Sequence, residues 1–356
     1  VTATLPQCDI CTPACDRQQV GEAALWMPTA AATLCAACRA DVGLGDTPYI
    51  PGVWRRGQKG WIAPGTPEHR AVISPSKVAA ILRLSRWESQ YRLFHRMTGQ
   101  VAEEPPQDAF DVGHDLESYA AARWRRKNAG WRLSAGEIQF IIDPNRYGFP
   151  VVVTLDRRAN RGRAQRVVEL KRALTLSDIE QWGDDLTGDL PEDYTAQVTA
   201  QMVFTGLTKY DGHLCAIGPY YQDRVYTVPF DPIVGEWITT ECAAFWDGVR
   251  HGATPELDDS VATYECVREL HPDIDGSTAE VDPDLAIAVH NASADHKDAE
   301  KRLRGLKAQL LDAMGDAQYA EFNGIKVATR SPHARGGVAL NLARTHPAVA
   351  VQKATA

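Results

Sequence analysis

The sequence predicts an α/β chain, with a small cysteine-bearing module ahead of its core and a helical and hairpin extension behind it. Three observations predict this. Residues 70–250 alternate helix-like and strand-like apolar patterns, residues 1–42 hold two C-x-x-C pairs, and Pro283 to Met314 form a long helical stretch followed by a hairpin signal. With 356 residues, and roughly 150 residues per domain, two or three domains are expected. Hydrophobic residues at 44% and charged residues at 24% exclude a mainly disordered chain, a collagen-like fibre and a small disulfide scaffold. No apolar run is long enough to cross a membrane, and Val1 to Asp9 lacks the layout of a signal peptide. Cys15, Cys215, Cys242 and Cys266 are scattered singly, which favours a reducing compartment, so a cytoplasmic protein without membrane contact is expected. The net charge of −8 excludes a bulk polyanion binder and leaves only local basic patches, at 123–127 and 157–166.

The module at 1–42 carries Cys8, Cys11, Cys35 and Cys38. Four thiolates in two short knuckles can surround a Zn²⁺ ion tetrahedrally, so structural zinc is expected, with unliganded or redox cysteines as the alternative. Residues 43–69 are rich in Gly and Pro, with Trp54, Arg55, Arg56, Lys59 and Trp61 among them, and read as a linker.

The core at 70–250 opens with Ser74-Pro75-Ser76, which predicts the start of a helix over 74–98. A second helix is predicted over 111–127, from Val112, Leu116 and Ala120. Residues 150–156 and 166–171 read as two strands, with 157–166 as the loop of a hairpin between them. A helix over 192–206, strands over 212–218 and 224–229, and a helix over 232–249 follow. The acidic, proline-bearing stretch 251–282 reads as a linker. Residues 283–356 read as a long helix with Leu303, Leu306 and Leu310 on one stripe, a hairpin turning at Asn323-Gly324, and a polar tail.

The chemistry gathers on the two strands of the core. Side chains alternate along a strand, so Glu169 and Lys171 project to one side while Val168 and Leu170 enter the core. If the strands pair, Asp156 comes beside Glu169. Two carboxylates and an ammonium would then converge at a sheet end, as phosphodiester hydrolysis requires. Hard divalent cations such as Mg²⁺ or Mn²⁺ take oxygen ligands, here Asp156, Glu169 and the Leu170 backbone carbonyl. One or two such ions would activate a water and stabilise the attacking and leaving oxygens. An isolated E-x-K is more often a solvated surface hairpin. Three features weigh against that reading: Glu117 on a helix one turn after Gly113, the i, i+4 pair Gln197 and Gln201, and Arg70 with Ser76 at a helix start suited to phosphate. The arginines of 157–166, among them Arg157, Arg158, Arg161 and Arg163, would grip phosphates.

Five stretches carry a resemblance: I73-S-P-S-K-V-A-A-I-L-R-L-S-R-W-E-S89, G113-H-D-L-E117, T154-L-D156, V168-E-L-K171 and Y194-T-A-Q-V-T-A-Q-M-V-F-T-G206. In this order they resemble the YqaJ-type viral recombinase family, which includes the lambda-type exonucleases of the PD-(D/E)XK nuclease superfamily. The resemblance implies a restriction-endonuclease-like core, a mixed β-sheet flanked by helices. It implies Mg²⁺-dependent digestion of one strand of linear double-stranded DNA, 5′ to 3′ from an end, in a phage or prophage recombination setting in a bacterial host. Carried over, Asp156 and Glu169 are metal ligands, Lys171 is the catalytic lysine, Glu117 supports the metal site and Gln197 is the active-site glutamine. Arg70 and Ser76 match the family's residues near a 5′-phosphate. Arg83 and Arg86 stand where the family carries glycine and proline, and add cations for a DNA backbone. Gln201 stands where RecB-type nucleases carry tyrosine. The resemblance also implies DNA ends as substrate, a single-strand annealing protein as partner and a ring-like homotrimer. Some nucleases of the superfamily hold an iron–sulfur cluster, on cysteines flanking the core rather than paired at one end. Two other functions compete: a structure-specific or restriction-type endonuclease on the same core, and a non-catalytic DNA-binding zinc protein.

Overall fold

The computed structural model describes residues 50–102, 108–172, 182–218, 222–333 and 336–343, with backbone alone over 108–115. The cysteine module, with Cys8, Cys11, Cys35 and Cys38, lies outside the described residues. The chain divides into two compact units, Val1–Asp273 and Ile274–Ala356.

The first unit runs β1 (Gly52–Trp54), α1 (Pro67–Arg70), α2 (Pro75–Ile81), α3 (Gln90–Met97), α4 (Asp108–Lys127), β2 (Arg132–Leu133), β3 (Ile138–Ile142), a 3₁₀ turn (Pro144–Arg146), β4 (Val151–Leu155), β5 (Arg157–Arg161), β6 (Ala164–Arg172), α5 (Glu192–Thr205), β7 (Gly212–Ile217), β8 (Asp223–Val228), α6 (Pro232–His251) and α7 (Val261–Leu270). Strands β1, β3 and β4 form one antiparallel sheet; β2, β5, β6, β7 and β8 form a mixed sheet in that order, parallel only between β6 and β7. A parallel pair needs a crossover, and α5 supplies it.

Alternation along β6 divides the helices between the two faces of the mixed sheet. Val168 and Leu170 pack with Trp124 of α4, together with Cys215, Ile217 and Val225. Val167 faces the opposite way, with Leu214 and Ala216, toward Val198 and Met202 of α5. Glu169 and Lys171 share that second face, so the sheet itself aims them at α5.

Three expectations are corrected. The helix expected over 74–98 is broken. Helix α2 ends in a left-handed turn at Arg83, φ 59°, with Leu84 N–H donating to Ala79 and Arg83 N–H to Ala80. This is a Schellman stop with arginine at the position that favours glycine. Relieving that strain, Arg83→Gly should raise stability by about 0.5–1 kcal/mol, read as a higher urea midpoint. A lower midpoint would mean that the bonds from Arg83 to Gln90 outweigh the backbone cost.

The stretch 157–166 is not a loop. Arg157–Arg161 is strand β5, paired antiparallel with β6 around a turn at Gly162-Arg163. Strand β4 pairs with β3 instead, and Asp156 sits where the chain passes from one sheet to the other. Two stretches read as linkers also contain structure. Strand β1 pairs with β3, and α7 buries Thr263 and Cys266 while Arg92 of α3 pairs with Glu269 at 2.9 Å.

His213 on β7 is buried between Trp124, whose Nε1–H donates to Nδ1 at 3.1 Å, and the Arg166 guanidinium. Burial first, then the Arg166 charge, pushes its pKa down to about 3. The unfolded ring titrates near 6.5, so the folded state binds fewer protons over the interval between. Stability from this group is complete above pH ~6.5 and is lost as the pH falls toward ~3, at a slope of up to ~1.4 kcal/mol per pH unit. Urea midpoints measured from pH 7 to pH 4 should fall, and His213→Gln should flatten that fall.

The second unit holds α8 (Pro283–Met314) and an antiparallel sheet of β9 (Tyr319–Phe322), β10 (Ile325–Pro332) and β11 (Val338–Leu342), ordered β11-β10-β9. Asn323 and Gly324 both have positive φ, 51° and 76°, as a two-residue hairpin turn of the mirror-image type requires.

Candidate active site

The site forms where β5 ends. The β5–β6 ladder begins at Arg157↔Val168, so beyond it Leu170 has no strand beside it on that edge among the described residues. The Asp156 carboxylate takes the position: its Oδ2 accepts the Leu170 N–H at 2.7 Å. The N–H and C=O of one residue leave a strand on the same side, so the Leu170 carbonyl lies along this edge too.

Glu169 is 2% exposed. Its Oε1 accepts from Lys171 Nζ at 2.6 Å and from Gln197 Nε2 at 2.6 Å, and its Oε2 accepts from Gln201 Nε2 at 2.7 Å. Helix α5 can deliver both amides because it lies close on β7. A Cβ at Gly212 would stand 2.6 Å from Val198 Cγ1 and 3.0 Å from Met202 Sδ, so only glycine admits the helix at this distance. Lys171 Nζ also lies 5.6 Å from the Tyr194 ring centroid.

Burial raises the pKa of Asp156 well above its usual range; Glu169 beside it adds to the rise, against opposing pulls from Lys171 and the Leu170 N–H. Burial alone would lower Lys171, but Glu169 and Asp156 more than offset it and hold the ammonium above its usual value. Lys171 is therefore a fixed positive charge between two carboxylates. Among the described residues no group of three His, Cys, Asp or Glu side chains converges. Two carboxylates with a backbone carbonyl nevertheless fit Mg²⁺, which keeps several waters and binds through one or two carboxylates plus substrate phosphate.

Glu117 reaches toward this set from α4 but is held by Arg157, 3.3 Å away. Arg157 is 7% exposed and also donates to the Asp156 carbonyl at 2.5 Å, so its place is inside the site, not on an exposed loop. Arg158 is half-buried, while Arg161 and Arg163 are exposed at the hairpin end. Arg161 lies 4.7 Å from the Trp131 ring centroid. Arg70 is half-buried, and exposed Ser76 lies 3.0 Å, hydroxyl to hydroxyl, from buried Ser74. Arg83 is exposed; Arg86 pairs with Asp193 at 3.0 Å and lies 5.6 Å from the Tyr194 ring, which joins it to the Lys171 side of the site.

Two features escaped the sequence reading. Lys77 is buried and donates to the carbonyls of His69, Arg70 and Val72 at 2.7–2.9 Å, fixing the α1 end beside α2. Arg55 and Arg56 line an open cleft of about 340 Å³ together with Glu117, Glu137 and Arg157. The long-range β1–β3 pairing brings them there, and Arg56 pairs with Glu137 at 2.8 Å.

Residues 66–208 match the family model described as the YqaJ-like viral recombinase domain. The uncharacterized protein YqaJ of Bacillus subtilis (strain 168) is 22% identical over 273 residues, covering 71% of this chain and 78% of its own length. Among solved structures, an alkaline exonuclease, LHK-Exo, from Laribacter hongkongensis is 19% identical at a TM-score of 0.39, over 51% of this chain and 90% of that one. LHK-Exo in complex with dAMP is 20% identical at the same TM-score, 0.39, over 52% and 91%. The segment that matches the YqaJ-like viral recombinase domain, residues 66–208, is the one that carries Asp156, Glu169, Lys171 and Gln197.

Proposed function

We propose that this chain is a divalent-metal-dependent DNA exonuclease that digests one strand of linear duplex DNA, 5′ to 3′ from an end, during phage-type recombination or end processing. One observation carries the proposal: Asp156 lies along the edge of β6 on the Leu170 N–H, while Glu169 and Lys171 pair on the adjoining face with Gln197 on the carboxylate. Asp156, Glu169 and the Leu170 carbonyl would hold the Mg²⁺ ions, which when bound supply a water of lowered pKa and stabilise charge on the phosphate oxygens.

The chain's own residues do the rest. Lys171, held as an ammonium, orients the attacking water and offsets charge on the pentavalent phosphate. Gln197 and Gln201 fix both oxygens of Glu169, so that carboxylate cannot turn away. Arg157 keeps Glu117 beside Asp156. Arg161 and Arg163, with Arg83, Arg86, Arg70 and Ser76, are assigned to the DNA backbone and its 5′-phosphate. The cysteine module is assigned a structural Zn²⁺, and the partners are DNA ends, a single-strand annealing protein and further copies of the chain in a ring.

The test is a time course on linear duplex labelled separately at each end, with Mg²⁺, with Mn²⁺ and with EDTA, beside a closed circle. Stepwise loss of the 5′ label in metal, none in EDTA and intact circles support the proposal. Cut circles favour an endonuclease, and binding of ends without cleavage in either metal favours a non-catalytic DNA-binding protein.

A further inference from the structure

Helix α8 carries a seam of apolar residues, interrupted by His296, that is exposed from Leu285 to Leu306 and half-buried at Leu310. From Leu285 the seam steps by four and three residues to Val289, Ala292, His296, Ala299, Leu303, Leu306, Leu310 and Ala313. This is a strict 3.5-residue repeat, the spacing of a coiled-coil seam rather than of a helix packed on a globular core. Leu285, Val289, Leu303 and Leu306 are 58%, 60%, 46% and 56% exposed.

The charges beside the seam choose the occupant and its direction. Asp295 and Arg302 occupy one flank, Glu300 and Lys307 the other. In a parallel pair of two copies, each residue of the first flank meets the residue of the second flank five positions later in the partner. Asp295 would then meet Glu300, and Arg302 would meet Lys307: two like-charge contacts, each made twice. In an antiparallel pair each flank meets itself. Arg302 of one copy then meets Asp295 of the other, twice by symmetry, and Glu300 and Lys307 meet Ser293 and Ala286.

Packing selects the same register. Antiparallel, Leu285 layers with Leu310, Val289 with Leu306, Ala292 with Leu303 and His296 with Ala299. Large residues thus face small ones through the middle of the helix, where a parallel pair would set Ala292 and Ala299 against themselves and leave gaps. The contact from Leu285 to Leu310 would be roughly 39 Å long at 1.5 Å per residue.

We propose that α8 pairs antiparallel with α8 of a second copy of this chain, with Asp295 and Arg302 fixing the direction. The test uses the full chain in sedimentation velocity across a concentration series. Wild type should sediment as a dimer, or as an even multiple of chains should the core assemble further. Leu303→Glu with Leu306→Glu should halve that number, with helical content by circular dichroism retained. Asp295→Arg alone and Arg302→Asp alone should each weaken pairing roughly tenfold, and the two together should restore it. A single charge swap that tightens association would establish the parallel pair and overturn the proposal. An assembly indifferent to Leu303→Glu with Leu306→Glu would overturn it as well.

Discussion

Lys171→Ala should slow cleavage of linear duplex DNA by about 10²–10⁴-fold, the range over which a positioned proton donor or charge contributes to catalysis. The reason lies in the charge balance of the site. Lys171 Nζ is 2.6 Å from Glu169 Oε1, and Glu169 and Asp156 together hold it charged. Its loss leaves buried Glu169 and half-buried Asp156 without their cation and leaves the developing phosphate charge without a partner. DNA binding should change little, because the exposed arginines Arg161 and Arg163 are untouched. The measurement is single-turnover cleavage beside end binding by fluorescence anisotropy. Lys171→Arg should recover part of the rate, since it restores charge but not the compact ammonium. Wild-type turnover in Lys171→Ala would remove the lysine from the chemistry and leave it a structural ion pair.

How far this site can be read from sequence depends on the range of the contacts that build it. Glu169 and Lys171 share a face because strands alternate, and Gln197 and Gln201 share one because helices repeat near four residues; both facts are local. Gln201 illustrates how much a local pattern withholds. Four residues beyond Gln197 it looks like a departure from tyrosine, yet it is wholly buried and occupies the second oxygen of Glu169. A hairpin pairing of the two strands is an incomplete reason for Asp156 to lie beside Glu169. The apolar run of β4 fits any neighbour, and only the fold shows that β3 takes it while β5 takes β6. Strand β5 was hidden by its own composition. Arg157 and Ala159 point inward, but an arginine facing a core is expected only once its partner, Glu117, is seen across 40 residues of chain. Helix α7 was hidden in acidic sequence because just two of its residues, Thr263 and Cys266, are buried, too few for a visible stripe. The long helix α8 was legible to its ends because Asp282 caps it, Pro283 opens it and Gly315 closes it.

Trp124→Ala should cost about 3–5 kcal/mol of stability, the loss expected when a fully buried large aromatic is deleted from a core that cannot collapse around the space. Trp124 is 0% exposed and packs on Val168, Leu170, Cys215 and Ile217, the underside of the strand that carries Glu169 and Lys171. It stands seven residues after Glu117 on α4, two turns along the same face, so the ring that anchors the helix also fixes where Glu117 meets Arg157. A urea titration should therefore show a large loss of midpoint, and DNA cleavage measured well below the new midpoint should still be reduced. Trp124→Phe separates the two roles of the ring. It refills most of the space and should recover most of the stability, but it cannot donate to His213 Nδ1 as the indole does at 3.1 Å. Without that donor the neutral imidazole loses part of its advantage over the charged form. The folded pKa of His213 then moves toward the unfolded one, and the acid-side loss of stability becomes shallower than in the wild type. An unchanged pH profile in Trp124→Phe would mean that burial and Arg166 alone hold His213 neutral.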